Sequence, residues 1–163
     1  FQLWINMPAK LKMSKPEYIY IDADKMSVHK DDDKQVKVIA GKFEKAEGPV
    51  KGHNVEPVYF DVELNKGKDF NFKLPSTHNT FVYLISGEIE IGKNKHENVK
   101  DSTLILLTRG EDLTVKAKSN AKFLVISGKP INEEIARGGP FVMNTKAEIL
   151  QAVQDYHNGT FVK

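Results

Sequence analysis

Short apolar runs that alternate with period two, divided by turns rather than helices, fill the middle of this chain. Val58, Phe60, Val62 and Leu64 take every second position, and Phe70, Phe72 and Leu74 repeat the pattern. Successive side chains of a strand point to opposite faces, so each run offers one apolar face to a core. The segment Thr80-Phe81-Val82-Tyr83-Leu84-Ile85 is apolar on both faces, as expected for a strand in the middle of a sandwich. Ser86-Gly87-Glu88 is expected to reverse the chain into Ile89-Glu90-Ile91 as a hairpin, with Gly87 supplying positive φ. Residues 103–107, 113–117 and 123–127 supply further strands at regular spacing, and residues 17–21 and 36–40 have the β-branched and aromatic content of strands. Many short strands with no helices between them predict an all-β antiparallel jelly-roll sandwich.

The segment His29-Lys30-Asp31-Asp32-Asp33-Lys34 reads as a solvated loop, and residues 41–52 as a second, longer one. One helix is predicted, over about residues 145–158. Thr145 and Glu148 have capping-box spacing, in which each side chain satisfies the other residue's free amide. Ile149, Leu150, Val153 and Tyr156 make an apolar stripe at helical spacing, and Asn158-Gly159 supplies the stop. The expected organisation is one domain over 1–163: a lead-in over 1–15, a jelly roll over 16–130, and a tail over 131–163 carrying the helix.

Composition narrows the function classes. Net charge is only +2 with acidic and basic residues interspersed, so the clustered cationic surface of a direct nucleic-acid binder is missing. The two arginines, Arg109 and Arg137, leave little scope for bidentate phosphate or base recognition. Zero cysteines exclude disulfides, thiolate catalysis and thiolate-bound metals. No stretch approaches the roughly 20 apolar residues of a membrane span, so no membrane partner is expected. The chain opens on Phe1, directly in an apolar run, which points to a processed or trimmed product rather than a natural translation start.

Two end segments carry a resemblance. Gln2-Leu3-Trp4-Ile5-Asn6-Met7-Pro8 stands near the start, and Gly139-Pro140-Phe141-Val142-Met143-Asn144-Thr145 precedes the capped helix. With Tyr83-Leu84-Ile85-Ser86-Gly87-Glu88 and Ile126-Ser127-Gly128-Lys129-Pro130 between them, the chain resembles the C-terminal cupin half of the pirin family. The resemblance implies a two-cupin parent whose N-terminal cupin holds one iron through three His and one Glu. It also implies likeness to quercetin 2,3-dioxygenases, with the chemistry in that other half, and a cytoplasmic location, or a nuclear one in a eukaryote. No cofactor is expected in this chain.

Cupin iron chemistry needs a His-x-His pair on one strand, with a Glu and another His from neighbours. Here no two of His29, His53, His78, His96 and His157 are separated by one residue. His78 stands roughly where such a pair would, but singly; His53 and His96 are weak candidates to join it. His157 sits where an imidazolium favours a helix C-terminus. No metal site and no catalytic residue are therefore expected. Glu88 and Glu90 share a strand face as glycosidase carboxylates do, but they belong to a lysine-rich edge, and no nucleophile elbow or phosphate loop occurs. Arg137-Gly138-Gly139-Pro140 reads as a flexible lead-in to the helix.

The apolar ends suggest a contact surface. Trp4, Phe141 and Met143 are the candidate interdomain or partner residues. Their expected occupant is the N-terminal cupin of the same protein, or a second copy if that face is left open. The predicted role is a non-catalytic domain that completes an active-site cleft or a partner surface. Two alternatives stand beside it: part of a quercetin dioxygenase, and a small-molecule binder with a roomy interior lined by Phe60, Phe72, Phe81 and Tyr83.

Overall fold

The alternating runs form strands that stack in two sheets. A computed structural model describes residues 1–51, 54–92 and 97–162. Within the unit spanning 21–130, the strands are β1 (Ser27–Lys30), β2 (Lys34–Ala40), β3 (Lys42–Phe43), β4 (Ala46–Glu47), β5 (Val58–Leu64), β6 (Asp69–Lys73), β7 (Asn79–Ser86), β8 (Glu88–Ile91), β9 (Glu97–Lys100), β10 (Thr103–Leu106), β11 (Asp112–Ala117) and β12 (Ala121–Gly128). A six-stranded sheet runs β1-β2-β5-β12-β7-β10 and a four-stranded sheet runs β6-β11-β8-β9. Their pairings are antiparallel.

Alternation decides what lies between the sheets. Val58, Phe60, Val62 and Leu64 of β5 are buried while Tyr59, Asp61 and Glu63 face outward. Phe43, Phe60, Phe70, Phe72 and Phe123 interlock, with Phe60 edge-on to Phe72 at 4.9 Å and Phe70 edge-on to Phe123 at 5.6 Å. Each fully buried side chain of this kind contributes roughly 1.5–3 kcal/mol. These rings pack against one another between the sheets. Phe81 and Tyr83 do not join them: Thr80, Val82 and Leu84 are the buried positions of β7. Of the expected lining only Phe60 and Phe72, from facing sheets, meet in the interior, while Phe81 and Tyr83 lie on the other face of the six-stranded sheet.

Several local readings changed, among them the expected loop over 41–52, where β3 and β4 pair as a short hairpin. Residues 17–21 form no strand; Tyr18, Ile19 and Tyr20 are exposed, because β propensity without a partner strand leaves the backbone unpaired. The charged segment 29–34 is loop only at 31–33: His29 and Lys30 end β1, Lys34 begins β2, and Asp31 tightens the connection by accepting the amides of Asp33 and Lys34, each at 2.8 Å. Gly87 is not a hairpin turn. It sits at φ +94° where the chain leaves the six-stranded sheet for the four-stranded one. The glycine-rich stretch before the helix is ordered as a hairpin, described next.

Residues 1–20 with 131–163 form the second unit. It comprises α1 (Ala9–Lys12), the hairpin of β13 (Ala136–Gly138) and β14 (Phe141–Met143), and α2 (Lys146–His157). The predicted capping box is present: Thr145 accepts the amide of Glu148, and Glu148 accepts that of Thr145. The helix buries Ala152 and half-buries Ile149 and Val153, while Leu150 and Tyr156 face outward, so the expected stripe is rotated. Gly138 explains the turn of the helix. A Cβ there would stand 2.4 Å from the Ile149 Cγ2, so only glycine lets Ile149 seat on the hairpin.

Candidate functional site

Polar side chains at inward positions are the first candidates. In the sandwich, His78, Thr80 and Ser127 are buried, with 5%, 9% and 3% exposure among otherwise apolar neighbours. A turn places His78, whose amide donates to the Pro75 carbonyl at 3.0 Å, just before β7. Thr80 and Ser127 are cross-strand partners on β7 and β12. Thr80 Oγ1 donates to Ser127 Oγ at 2.9 Å, and Ser127 Oγ lies 3.2 Å from His78 Nδ1. Burial lowers the His78 pKa below the usual imidazole range; Glu56 opposes that shift and Lys129 adds to it. The ring is therefore neutral at pH 7.

This cluster borders an open cleft of about 380 Å³, lined by Lys42, Lys51, Glu56, Val58, Pro75 and His78, with Glu47 at its side. Sequence reading singled out His78 but missed Thr80 and Ser127. The signal was available: both put a hydroxyl at a position that the alternation assigns to the core.

In the terminal unit the three surface candidates come together. Trp4, Phe141 and Met143 line a groove of about 540 Å³ with Ile5, Met7 and Phe161. Trp4 is 70% exposed. The rim is polar: Lys12 Nζ donates to Asn6 Oδ1 at 2.6 Å, and Arg137 also borders the groove. The walls are tied by carboxylates. Glu133 accepts from the Ala9 amide at 2.7 Å and from Asn144 Nδ2 at 3.0 Å. Glu148 accepts from the Asn144 amide at 3.0 Å, and its pKa is lowered, first by its hydrogen bonds to Thr145.

Residues 59–162 match the pirin C-terminal cupin domain. This chain belongs to the pirin family. A pirin-like protein of Caulobacter vibrioides is 36% identical over 99% of this chain and 58% of its own length. Human pirin is 30% identical over 96% of this chain and 55% of its own. A crystal structure of quercetin 2,3-dioxygenase from Acinetobacter baumannii superposes with a TM-score of 0.87 at 33% identity, covering 97% of this chain and 55% of that one. The chain thus spans little more than half the length of the curated pirins it matches.

Within this pirin cupin, the iron that the resemblance implies for the other half has no matching donor set. Among the described residues no group of three or more His, Cys, Asp or Glu is placed to hold a metal. His78 has Nδ1 against Ser127, and its bonded neighbours are hydroxyls, poor ligands for a first-row ion. His53 and His96 lie outside the described residues. Glu88 and Glu90 are paired with Lys100 and Lys118 on the sheet surface, which is how solvated edge carboxylates behave. No helix among the described residues is long and apolar enough to cross a membrane.

Proposed function

We propose that this pirin domain acts without a catalytic residue of its own, as the C-terminal cupin that completes the cleft of a metal-bearing N-terminal cupin. The observation that carries the reading is the terminal groove. Trp4, Phe141 and Met143 converge there, from sequence positions far apart, into an apolar concavity with a polar rim, the anatomy of a docking surface. The donor chemistry around His78 supports the same reading, because one imidazole and two hydroxyls do not make an oxygen-activating site.

A second reading has its own support. The likeness to the Acinetobacter quercetin 2,3-dioxygenase favours a parent protein that cleaves quercetin, with the chemistry in the half this chain would complete.

The test uses the 163-residue chain alone and mixed with the separately purified N-terminal half of the Caulobacter pirin-like protein. Iron content, quercetin consumption and association are measured in both. The chain alone is expected to hold no stoichiometric iron and to consume no quercetin. It is expected to bind the N-terminal half, and Trp4→Ala is expected to weaken that binding about 10-fold or more. Stoichiometric iron and turnover in the isolated chain would overturn the reading.

A further inference from the structure

The cleft beside His78 lies outside the role just described, and it presents a defined donor. Thr80 Oγ1 gives its hydrogen to Ser127 Oγ. The hydrogen of Ser127 is then free to point at His78 Nδ1, 3.2 Å away, an arrangement in which Nδ1 accepts. A neutral ring whose Nδ1 accepts carries its proton on Nε2. His78 lines the cleft while Ser127 and Thr80 do not, so the ring edge opposite Ser127 faces the opening. Among the described residues Nε2 has no hydrogen-bond partner, and what little of the ring stays exposed opens on the cleft. In that tautomer the N–H stands at the inner end of the cleft with no protein acceptor among the described residues, and an acceptor entering the cleft can take it.

Charge around the opening narrows what that acceptor is. Lys51 is paired with Glu47, and Lys129 lies 3.6 Å from Glu56. Lys42 lines the same cleft and stands opposite Glu47 in the β3–β4 pair, where its charge helps lower that carboxyl's pKa, but no ion pair joins it to a described carboxylate. Lys42, Lys51 and Lys129 together exceed Glu47 and Glu56 by one positive charge, which suits one negative charge. A dianionic phosphate would leave a second charge facing Glu47 and Glu56. The remaining walls are apolar, from Val50, Pro57, Val58 and Pro75, and the cleft's size falls in the range of small-molecule sites.

We propose that the cleft binds a small organic monocarboxylate. Its carboxylate accepts from His78 Nε2–H and pairs with Lys42, and its apolar body lies on Val58 and Pro75. The site needs no metal and does not depend on docking of another domain.

The test is a titration of the full chain at pH 7 with benzoate, and separately with benzamide and inorganic phosphate, followed by imidazole and backbone-amide ¹H–¹⁵N spectra. Benzoate is expected to shift the His78 Nε2 signal and the amides of Lys42 and Val58 saturably. Benzamide and phosphate are expected to bind about 10-fold more weakly or worse, a difference of about 1.4 kcal/mol. Lys42→Met, on an exposed position and checked for an otherwise unchanged spectrum, is expected to weaken benzoate about 10-fold. Three results would each overturn the proposal. They are benzamide binding as tightly as benzoate, Lys42→Met leaving the affinity unchanged, and no saturable shift at His78 up to about 50 mM, a concentration well above any useful affinity.

Discussion

At the scale of single residues, His78 carries a pH dependence whose sign is fixed by its environment. Burial disfavours the imidazolium, with Lys129 on the same side and Glu56 against it, and the net folded pKa lies below the ordinary value of 6.5. The unfolded chain takes up the proton first as pH falls. Below the ordinary pKa the unfolded state therefore binds more protons, and stability declines with falling pH through the folded pKa, by at most about 1.4 kcal/mol per pH unit. Above that window the contribution is constant. Glu47, Lys42 and Lys51 also border the ring's cleft, so the clean quantity is a difference between proteins. Urea unfolding of the native chain and of His78→Gln is expected to show their stability difference shrinking between pH 7.5 and 5, a window chosen about the ordinary imidazole pKa. A difference that stays level or grows would show that His78 is not held neutral by burial.

At the scale of elements, the corner at Gly87 decides which sheet β8 joins. A Cβ at Gly87 would lie 2.4 Å from the Asn120 carbonyl oxygen and 2.8 Å from the Ala121 Cα, both backbone atoms that cannot swing aside. With φ at +94°, Gly87→Ala adds strain to that clash, and a loss of about 2–4 kcal/mol is expected in urea unfolding. A loss under about 0.5 kcal/mol, typical of an unconstrained surface site, would mean the corner relaxes freely. The same residue shows where sequence reading stops. Ser86-Gly87-Glu88 has the local chemistry of a hairpin, and nothing nearby says that β8 will pair with β11 and β9 instead of β7. The alternation of Val58 to Leu64 was legible because period two and burial are both local. The His78–Ser127 contact was not, because it joins positions 49 residues apart through strand register. Tyr18 to Tyr20 misled for the converse reason: propensity was strong, but no strand stands beside them.

At the scale of the whole molecule, the two units differ in what they bury. The sandwich holds Phe60, Phe70, Phe123, Leu64 and Leu84 essentially out of solvent. In the terminal unit Ala152 alone among the described residues is fully buried, while Phe1, Trp4, Leu150 and Tyr156 are exposed. Its cohesion rests on hydrogen bonds through Glu133, Asn144 and Glu148 and on the ring contact of Phe141 with Phe161 at 5.0 Å. Apolar burial is the larger stabilising term, so local opening should be far easier in this unit. Native-state hydrogen exchange is expected to show amides of α2 and the β13–β14 hairpin exchanging roughly 100-fold faster than those of β5, β7 and β12, a gap of about 2.7 kcal/mol. Addition of the N-terminal cupin half is expected to slow exchange in the hairpin and α2 and leave the central strands unchanged, because an occupant that binds only the closed unit stabilises it by mass action. Equal protection of α2 and the central strands in the isolated chain would show that the terminal unit is already complete, and the groove at Trp4, Phe141 and Met143 would then have no need of a partner.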